Sequence, residues 1–349
     1  MKIAAMEAGG VGGSPGKRGS KRPSTERCTP GSNPTSMGPH LRLKSKLLDP
    51  AETVLLYGTT PPRLGTPDDQ VASAAEKLAA RIAPLPVDGV VVYDIQDETG
   101  RTQVPRPFPF SGTVDPRSYS RILAERTGRP AIAYKALGSI AEAQWSPWLA
   151  QCRSDYGIEF LSIVGRPTSG IRYALPLSRA IRIAAAPATG LTVGGVAIAE
   201  RHSDSRSESA RLLAKSIEGC AYFISQTVYE PLASVRLLRD YLRDCRGAGV
   251  TPRRIILTFA PAGRAKTMQF LNWLGVNMPA ETARAILDAP SPLAKSIEVC
   301  RDNLRRILDQ PYAGGIPLGI NIESVSINRE EIDASVDLFH TLREVLQDA

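Results

Sequence analysis

The chain has 349 residues, of which 42% are hydrophobic and 22% are charged, a composition typical of a folded protein with a hydrophobic core. No apolar run reaches the roughly 20 residues that a membrane helix needs. The N-terminus lacks the apolar core of a secretory signal, so we expect a cytoplasmic protein without membrane contacts. The five cysteines are scattered without a metal-binding spacing, which predicts no metal site.

Most of the net charge of +8 lies at the N-terminus, where residues 1–48 hold nine Lys and Arg residues against two Glu residues. This segment is also rich in Gly, Ser and Pro, and such a composition cannot bury enough apolar surface to order itself. The sequence therefore predicts a disordered basic extension over residues 1–48. The remaining chain, residues 49–349, is nearly neutral, so nucleic acid is not an expected partner.

After the extension, short apolar runs alternate with longer amphipathic stretches. The predicted strands are residues 54–57, 89–93, 131–134, 160–164, 191–198, 222–226, 254–259 and 318–324. The predicted helical stretches are residues 67–83, 116–127, 139–155, 171–184, 207–219, 231–246, 266–306 and 329–347. Eight strands alternating with helices within about 300 residues predict an α/β fold, a (β/α)8 TIM barrel.

In such a barrel, catalytic and binding residues lie where each strand meets the loop that follows it. These strand ends carry polar residues of both charges, and no Ser-His-Asp order, phosphate-binding loop or metal cluster can be drawn from them. The strand ends include Gly58, Asp94, Glu98, Lys135, Gly165, Arg166, Glu200, His202, Gln226 and Glu323.

Five segments in the same order resemble segments of the methylenetetrahydrofolate reductase family. They are LLYGTTPPR (55–63), GVAIAERH (195–202), AYFISQTVYE (221–230), IILTFAPAGRAKTMQFLNWLGVNMP (255–279) and SINREE (326–331). Each segment lies at the strand end where the family has its counterpart, and the likeness runs from about residue 54 to the C-terminus. Members of the family are flavin-dependent (β/α)8 barrels that reduce 5,10-methylenetetrahydrofolate to 5-methyltetrahydrofolate with NADH or NADPH.

The resemblance implies which residues would bind a folate substrate. Gln226 matches the glutamine that hydrogen-bonds the pterin ring, a role suited to an amide that both donates and accepts. Arg329 matches the arginine on the folate side, where a guanidinium can hold a carboxylate. Thr267 lies one turn into the helix after strand seven, where the family contacts its substrate.

The resemblance also implies an FAD cofactor, which this sequence supports only in part. His202 and Lys215 fall on flavin-contacting positions, and Gly165, at the end of strand four, is a further candidate cofactor-binding position. Arg166 stands where the family has an aspartate near the flavin, and Lys135 stands where it has a flavin-contacting histidine. These replacements on the flavin side predict weak or absent flavin binding, with hydride passing directly from NADH or NADPH.

The largest departure concerns the proton donor. The family's catalytic glutamate, the general acid for N5 of the folate, falls on Gly58, which has no side chain to donate a proton. Another acid must then take its place. The candidates are Glu323 on strand eight, Asp94 and Glu98 after strand two, and Glu200 after strand five.

Three functions remain compatible with these residues. The first is a divergent methylenetetrahydrofolate reductase, an NAD(P)H oxidoreductase of one-carbon metabolism that supplies methionine biosynthesis. The second is a folate- or pterin-binding protein without catalysis, which the loss of the acid favours. The third is a barrel oxidoreductase with another substrate, since a fold does not fix a function. The sequence leaves open whether the chain forms a homo-oligomer.

Overall fold

The computed structural model describes residues 37–95, 106–165, 175–203, 205, 207–311 and 315–348. Eight parallel strands pair in chain order, and β8 pairs with β1 to close a (β/α)8 barrel, which confirms the predicted fold class. The strands are β1 (Val54–Thr59), β2 (Gly89–Val92), β3 (Ala131–Ala136), β4 (Phe160–Val164), β5 (Thr192–Ala197), β6 (Tyr222–Thr227), β7 (Arg254–Phe259) and β8 (Leu318–Glu323).

Eleven α-helices lie in the described ranges of the chain. They are α1 (Pro39–Leu48), α2 (Asp68–Ile82), α3 (Pro116–Thr127), α4 (Glu142–Ser154), α5 (Leu177–Ala184), α6 (Glu208–Glu218), α7 (Pro231–Ala248), α8 (Ala265–Trp273), α9 (Ala280–Leu287), α10 (Pro292–Leu308) and α11 (Arg329–Gln347). Within the described residues, no helix is long and apolar enough to cross a membrane.

Local sequence signals explain where a typical helix, α7, begins and ends. The carboxylate of Glu230 accepts a hydrogen bond from the backbone N–H of Leu232, and Pro231 occupies the first helical position. An N-cap acceptor followed by proline is a strong helix start, because the proline removes an N–H that would have no partner. Gly249 ends the helix in the left-handed conformation with φ of 66°.

The stretch 266–306, predicted as one helical segment, forms three helices instead. Helix α8 ends at Trp273, and Gly275 then turns the chain with a φ of 85°. Pro279 precedes α9, and Pro292 starts α10. Glycine accepts the left-handed conformation at little cost, whereas proline interrupts a preceding helix, so these residues divide the segment.

The barrel separates two hydrophobic clusters. The larger one fills the layer between the sheet and the surrounding helices. The smaller one fills the barrel interior, with Leu56, Val91, Phe160, Tyr222 and Ile256 at its centre. Because side chains alternate between the two faces of a strand, one strand contributes to both clusters.

Helix α1 closes the N-terminal end of the barrel. Leu43 and Leu47, one helical turn apart, are 0% and 2% exposed and belong to the interior cluster. A Cβ on Gly89 would lie 2.9 Å from a Leu43 methyl carbon, so the helix approaches the β2 backbone closely. The boundary of the extension predicted as disordered, residue 48, is therefore wrong for Pro39–Leu48. Residues 1–36 lie outside the described residues.

Polar contacts fix α1 to the barrel. The Lys46 ammonium lies 2.9 Å from the carboxylate of Asp88, which also accepts the backbone N–H of Leu55 at 2.9 Å. Nearby, the buried guanidinium of Arg254 donates to the carbonyl oxygens of Leu318 and Asp49. Burial lowers the pKa of Arg254 to about 10. The N-terminal end of the barrel is thus a packed, stabilising plug.

Shortening a buried leucine of α1 should destabilise the fold. We expect Leu43→Ala to lower the free energy of unfolding by about 2–5 kcal/mol, because it removes buried methyl groups and leaves a cavity. Chemical denaturation measures this loss. The matched control is Leu41→Ala on the same helix, where the leucine is 59% exposed, and its effect should stay within about 0.5 kcal/mol. Equal effects of the two variants would show that α1 does not plug the barrel.

Candidate active site

A connected group of polar side chains fills the C-terminal end of the barrel interior. The Asn321 amide donates to the Tyr93 hydroxyl at 2.9 Å and to Thr258 Oγ1 at 3.3 Å. Thr227 Oγ1 donates to Glu323 Oε1 at 3.1 Å. Tyr93 also hydrogen-bonds Glu323. These five residues, which we call the mouth cluster, come from four different parts of the barrel wall.

Strand geometry explains why the mouth cluster points inward. Asn321 pairs with Thr258 in the β7–β8 register, so their side chains lie side by side. In β6, Ile224 lies in the barrel interior and Thr227, three positions further on, reaches Glu323. Regular alternation would place them on opposite faces, but a register shift between Ile224 and Thr227 inserts an extra residue. This bulge turns Thr227 inward.

Gly58 lies directly beside the mouth cluster. It pairs with Glu323 across the β1–β8 junction, and a Cβ built on Gly58 would lie 3.2 Å from the Glu323 Cβ. The same Cβ would lie 2.9 Å from the Tyr93 hydroxyl oxygen and 3.1 Å from a Tyr93 ring carbon. The space that a side chain at position 58 would need is therefore taken by Tyr93, with the Glu323 carboxyl next to it.

The surroundings of Glu323 favour its protonated form. Burial raises the pKa of Glu323, while the hydrogen bonds from Tyr93 and Thr227 oppose part of that shift. Burial likewise raises the pKa of Tyr93, so its hydroxyl stays neutral and can donate. A carboxyl group with a raised pKa can act as a proton donor near neutral pH.

The residues predicted to bind folate lie around this mouth in different settings. Gln226 lies in the β6 bulge, and its amide nitrogen donates to the Leu274 carbonyl oxygen at 2.8 Å. Thr267 is buried and donates to the carboxylate of Glu331 at 2.8 Å. The Arg329 side chain is 94% exposed at the start of α11. The structure brings Gln226 near the mouth, whereas Thr267 is engaged in packing α8 against α11.

The lysines at flavin positions lie in the layer between sheet and helices. The Lys215 ammonium donates to the Val196 carbonyl oxygen at 2.8 Å and lies 3.7 Å from Glu208. Burial lowers the pKa of Lys215. The Lys135 ammonium lies 3.5 Å from Asp94 and faces the ring of Trp148.

His202 and Gly165 complete the described flavin positions. The His202 Nε2 lies 2.9 Å from Asp240, on α7. Gly165 directly follows β4, where an added Cβ would contact Leu177. The predicted position Arg166 lies outside the described residues.

The other candidate acids differ from Glu323 in position. Asp94 accepts the backbone N–H of Ala136 at 2.9 Å and pairs with Lys135, which ties the end of β2 to β3. Glu98 lies outside the described residues. Glu200 follows β5 and accepts the backbone N–H of Asn277. Among the described candidates, only Glu323 belongs to the mouth cluster.

Tyr93 and an aromatic group on α8 were not among the residues predicted from the sequence. Phe108 contacts Phe270 edge to face at 5.4 Å, and Phe270 stacks on Trp273 at 6.0 Å. The Arg106 guanidinium lies 4.6 Å from the Trp273 ring centre. The loop after β2 therefore reaches α8. Strand alternation in β2 is the signal that could have placed Tyr93 inside the barrel.

No group of three or more possible metal ligands occurs among the described residues. The mouth cluster combines one protonatable carboxyl, a neutral tyrosine and neutral amide and hydroxyl groups. Sites of this kind, at the C-terminal face of a (β/α)8 barrel, are where such proteins bind small molecules.

Comparison with solved structures places the chain in a family. A protein of uncharacterised function from Clostridium thermocellum, which binds two copies of 5-methyl-5,6,7,8-tetrahydrofolic acid, is 31% identical with a TM-score of 0.73. The match covers 87% of this chain and 99% of that one. The chain belongs to the same family as this folate-binding protein. No protein-family model and no curated protein matches the chain.

More distant matches are limited to the general architecture. N-(5'-phosphoribosyl)anthranilate isomerase from Pyrococcus furiosus is 12% identical with a TM-score of 0.41, covering 84% of this chain and 100% of that one. Oxaloacetate acetylhydrolase is 13% identical with a TM-score of 0.45, and the match covers 89% of this chain and 85% of that one. At these similarities neither protein informs the site of this chain.

Replacing Glu200 should change how stability depends on pH. Burial raises the pKa of Glu200 from 4.5 to about 7, although nearby Arg201 opposes the shift and Glu230 adds to it. The folded state therefore holds the proton more tightly, and stability falls as the pH rises from about 4.5 to 7. We expect Glu200→Gln to be about 1–3 kcal/mol more stable than the native chain at pH 8 and nearly equal to it at pH 5.

Urea denaturation at both pH values measures this difference. The control is Glu125→Gln, which replaces an exposed carboxylate on α3 and should leave the pH dependence unchanged. If the Glu200→Gln difference is the same at pH 5 and pH 8, Glu200 does not titrate with a raised pKa.

Proposed function

We propose that the chain binds a reduced folate at the barrel mouth and reduces 5,10-methylenetetrahydrofolate to 5-methyltetrahydrofolate with NADH or NADPH. The observation that carries this proposal is the Glu323 carboxyl beside Gly58, with Tyr93 and Thr227 hydrogen-bonded to it. The acid absent at position 58 thus has a neighbouring replacement across the β1–β8 junction. The related protein from Clostridium thermocellum supports the folate class, since the 5-methyltetrahydrofolate it binds is the product of this reaction.

Glu323 would supply the proton that the reduction needs. The dihydronicotinamide would deliver a hydride to the bridging methylene carbon, the bond from that carbon to N10 would break so that the new methyl group stays on N5, and N10 would take a proton. Glu323 is neutral to a higher pH than an ordinary carboxyl, so it can give this proton and recover another from solvent. Thr227 and Tyr93 then stabilise the carboxylate that remains.

The described residues do not fit a flavin. Lys215 is buried against the β5 backbone and Lys135 is paired with Asp94, so neither ammonium is directed to hold flavin phosphates at the mouth. The His202 Nε2 is engaged in a hydrogen bond with Asp240. We therefore assign no step to FAD and propose that hydride transfer uses the nicotinamide directly.

The proposed function includes two binding positions for folate. The related protein binds two copies of 5-methyltetrahydrofolate, and we propose that this chain likewise binds two folates. We assign Gln226 to the position at the barrel mouth, because it directly precedes Thr227 in the β6 bulge. Folate binding without reduction, the second candidate function, is favoured by the direct hydrogen bonds that occupy Glu323 in this structure.

Replacing Glu323 distinguishes the two functions. If Glu323 is the acid, Glu323→Gln should lower kcat for methylenetetrahydrofolate-dependent NAD(P)H oxidation by about 10²–10⁴-fold, with little change in folate affinity. A native chain that binds folate but oxidises no NAD(P)H with methylenetetrahydrofolate would establish binding alone. Undiminished turnover by Glu323→Gln would contradict the assignment of Glu323.

Tyr93→Phe gives an independent measurement on the same acid. Because the Tyr93 hydrogen bond lowers the pKa of Glu323, its loss should raise that pKa. The pH at which kcat/KM declines on the alkaline side should then move upward. The control is Tyr57→Phe, which removes a hydroxyl bonded to Ser335 on α11 at 2.6 Å and should leave the profile unchanged. A downward shift in Tyr93→Phe would contradict the proposed hydrogen bond.

A further inference from the structure

Residues 106–113, which we call the strap, are fixed at one end to the loop that follows β1. The backbone N–H of Leu64 donates to the Gly112 carbonyl oxygen at 2.8 Å. Thr113 also forms an antiparallel β-bridge with Arg63. Backbone contacts therefore hold this end of the strap beside the C-terminal end of β1.

Side chains hold the other end of the strap, where it reaches α8. The Arg106 guanidinium lies 4.6 Å from the centre of the Trp273 ring and 5.6 Å from that of Phe270. The Phe108 ring meets Phe270 edge to face at 5.4 Å, and the Lys266 ammonium lies 4.6 Å from the Phe108 ring centre. We call these side chains the seam. Among the described residues, no hydrogen bond between backbone groups joins the strap to α8.

The seam lies on the side of the barrel opposite to β2. Trp273 ends α8, and the next residue, Leu274, accepts a hydrogen bond from Gln226 of β6 at 2.8 Å. Strands β2 and β6 stand opposite each other in the ring of eight strands. The six residue steps from Arg106 to Gly112 can extend to about 20 Å. The strap, held beside β1 and reaching this end of α8, therefore crosses the C-terminal face of the barrel, where the mouth cluster lies.

The mouth cluster is largely shielded from solvent at this face. Asn321, Thr258 and Thr227 are 0%, 2% and 4% exposed. Deeper in the barrel, the interior is filled by apolar side chains, so a ligand can reach the cluster only from the C-terminal face. The strap and α8 stand on that route.

The two ends of the strap differ in how firmly they are held. A backbone bridge fixes the end beside β1. At the seam, a cation stacked on an aromatic ring shifts an equilibrium by only about three- to thirtyfold, and an edge-to-face ring pair contributes a similar factor. Contacts of this size favour a closed state and still allow an open one to be populated. The seam is therefore the end that can release.

We propose that the seam is a gate to the barrel mouth. When the seam is formed, the strap closes the mouth; when Arg106 and Phe108 leave α8, the strap turns about its end beside β1 and admits the ligand. This inference goes beyond the proposed function, because it concerns access to the mouth for any small molecule. It takes from the proposed function only the mouth as the binding site.

Labelling of a cysteine in the mouth tests the gate without a ligand. The four described cysteines are buried, so Thr227→Cys in a Cys28→Ser chain places a new thiol in the mouth cluster. We expect Arg106→Gln and Phe108→Leu each to raise the rate at which iodoacetamide alkylates this thiol by about three- to thirtyfold. An unchanged rate in both variants would overturn the gate.

Two controls separate gate opening from unfolding. Cys300, which is 0% exposed, reports unfolding in the same chain, and its alkylation should stay as slow as in the native protein. Arg121→Gln removes an arginine that faces the Tyr156 ring at 5.8 Å on α3 and should leave the labelling of Thr227→Cys unchanged. Equal acceleration at Cys300 and at Thr227→Cys would overturn the gate, because the seam would then only stabilise the fold.

Stopped-flow binding of 5-methyltetrahydrofolate gives a second measurement. A gate that closes over the empty and the filled mouth limits entry and exit alike. We expect Arg106→Gln to raise the association and dissociation rate constants together, with Kd changed by less than about threefold. Faster dissociation with unchanged association would overturn the gate, because Arg106 would then act only as a contact of the bound ligand.

These outcomes distinguish the gate from the proposed function. Faster labelling of Thr227→Cys in the seam variants of a chain that binds no folate would support the gate and remove the proposed function. Folate turnover with unchanged labelling and unchanged rate constants in the seam variants would overturn the gate while the proposed function stands.

Discussion

The parallel pairing of β1 with β8 is the contact on which the site depends. It closes the barrel, and its register sets Gly58 opposite Glu323. If the register moved by one residue, the Glu323 side chain would turn from the barrel interior to the helix layer. On its other side, the pairing of β1 with β2 brings Tyr93, from the end of β2, over the glycine. Barrel closure thus determines where a proton donor can be.

The two ends of the barrel have different chemistry. At the N-terminal end, α1 inserts Leu43 and Leu47 into an apolar interior, and Arg254 satisfies nearby carbonyl groups. At the C-terminal end, the interior becomes polar on the side of β6, β7 and β8, where Thr227 bonds Glu323 and Thr258 bonds Asn321. This division matches the general arrangement of these barrels, in which one end stabilises and the other binds.

The sequence could predict the eight strands because each is a short apolar run followed by a break. The sequence could also place Glu323 inside the barrel. Side chains alternate between the two faces of a strand, so the residues of β8 alone are enough to assign its inward face. Helix α1 was missed because its two buried leucines stand in a basic, proline-rich context. Their partners, such as Leu56 and Val91, are brought together only by barrel closure.

The finer structure of the site depended on contacts between distant segments. The β6 bulge that turns Thr227 inward arises from pairing with β7, which no local pattern in residues 222–227 reveals. The packing of Tyr93 against Gly58 joins residues on different strands, and the pairing of Lys135 with Asp94 does so too. Residue types at strand ends therefore predicted a polar mouth, while their partners needed the three-dimensional structure.

A crystal structure of the chain with bound 5-methyltetrahydrofolate tests the central claim most directly. The account predicts a pterin ring at the barrel mouth, with the folate N10 nitrogen within about 3 Å of the Glu323 carboxyl and the Gln226 amide turned toward the ring. Folate bound only away from the mouth, with Glu323 still hydrogen-bonded to Tyr93 and Thr227 alone, would contradict it.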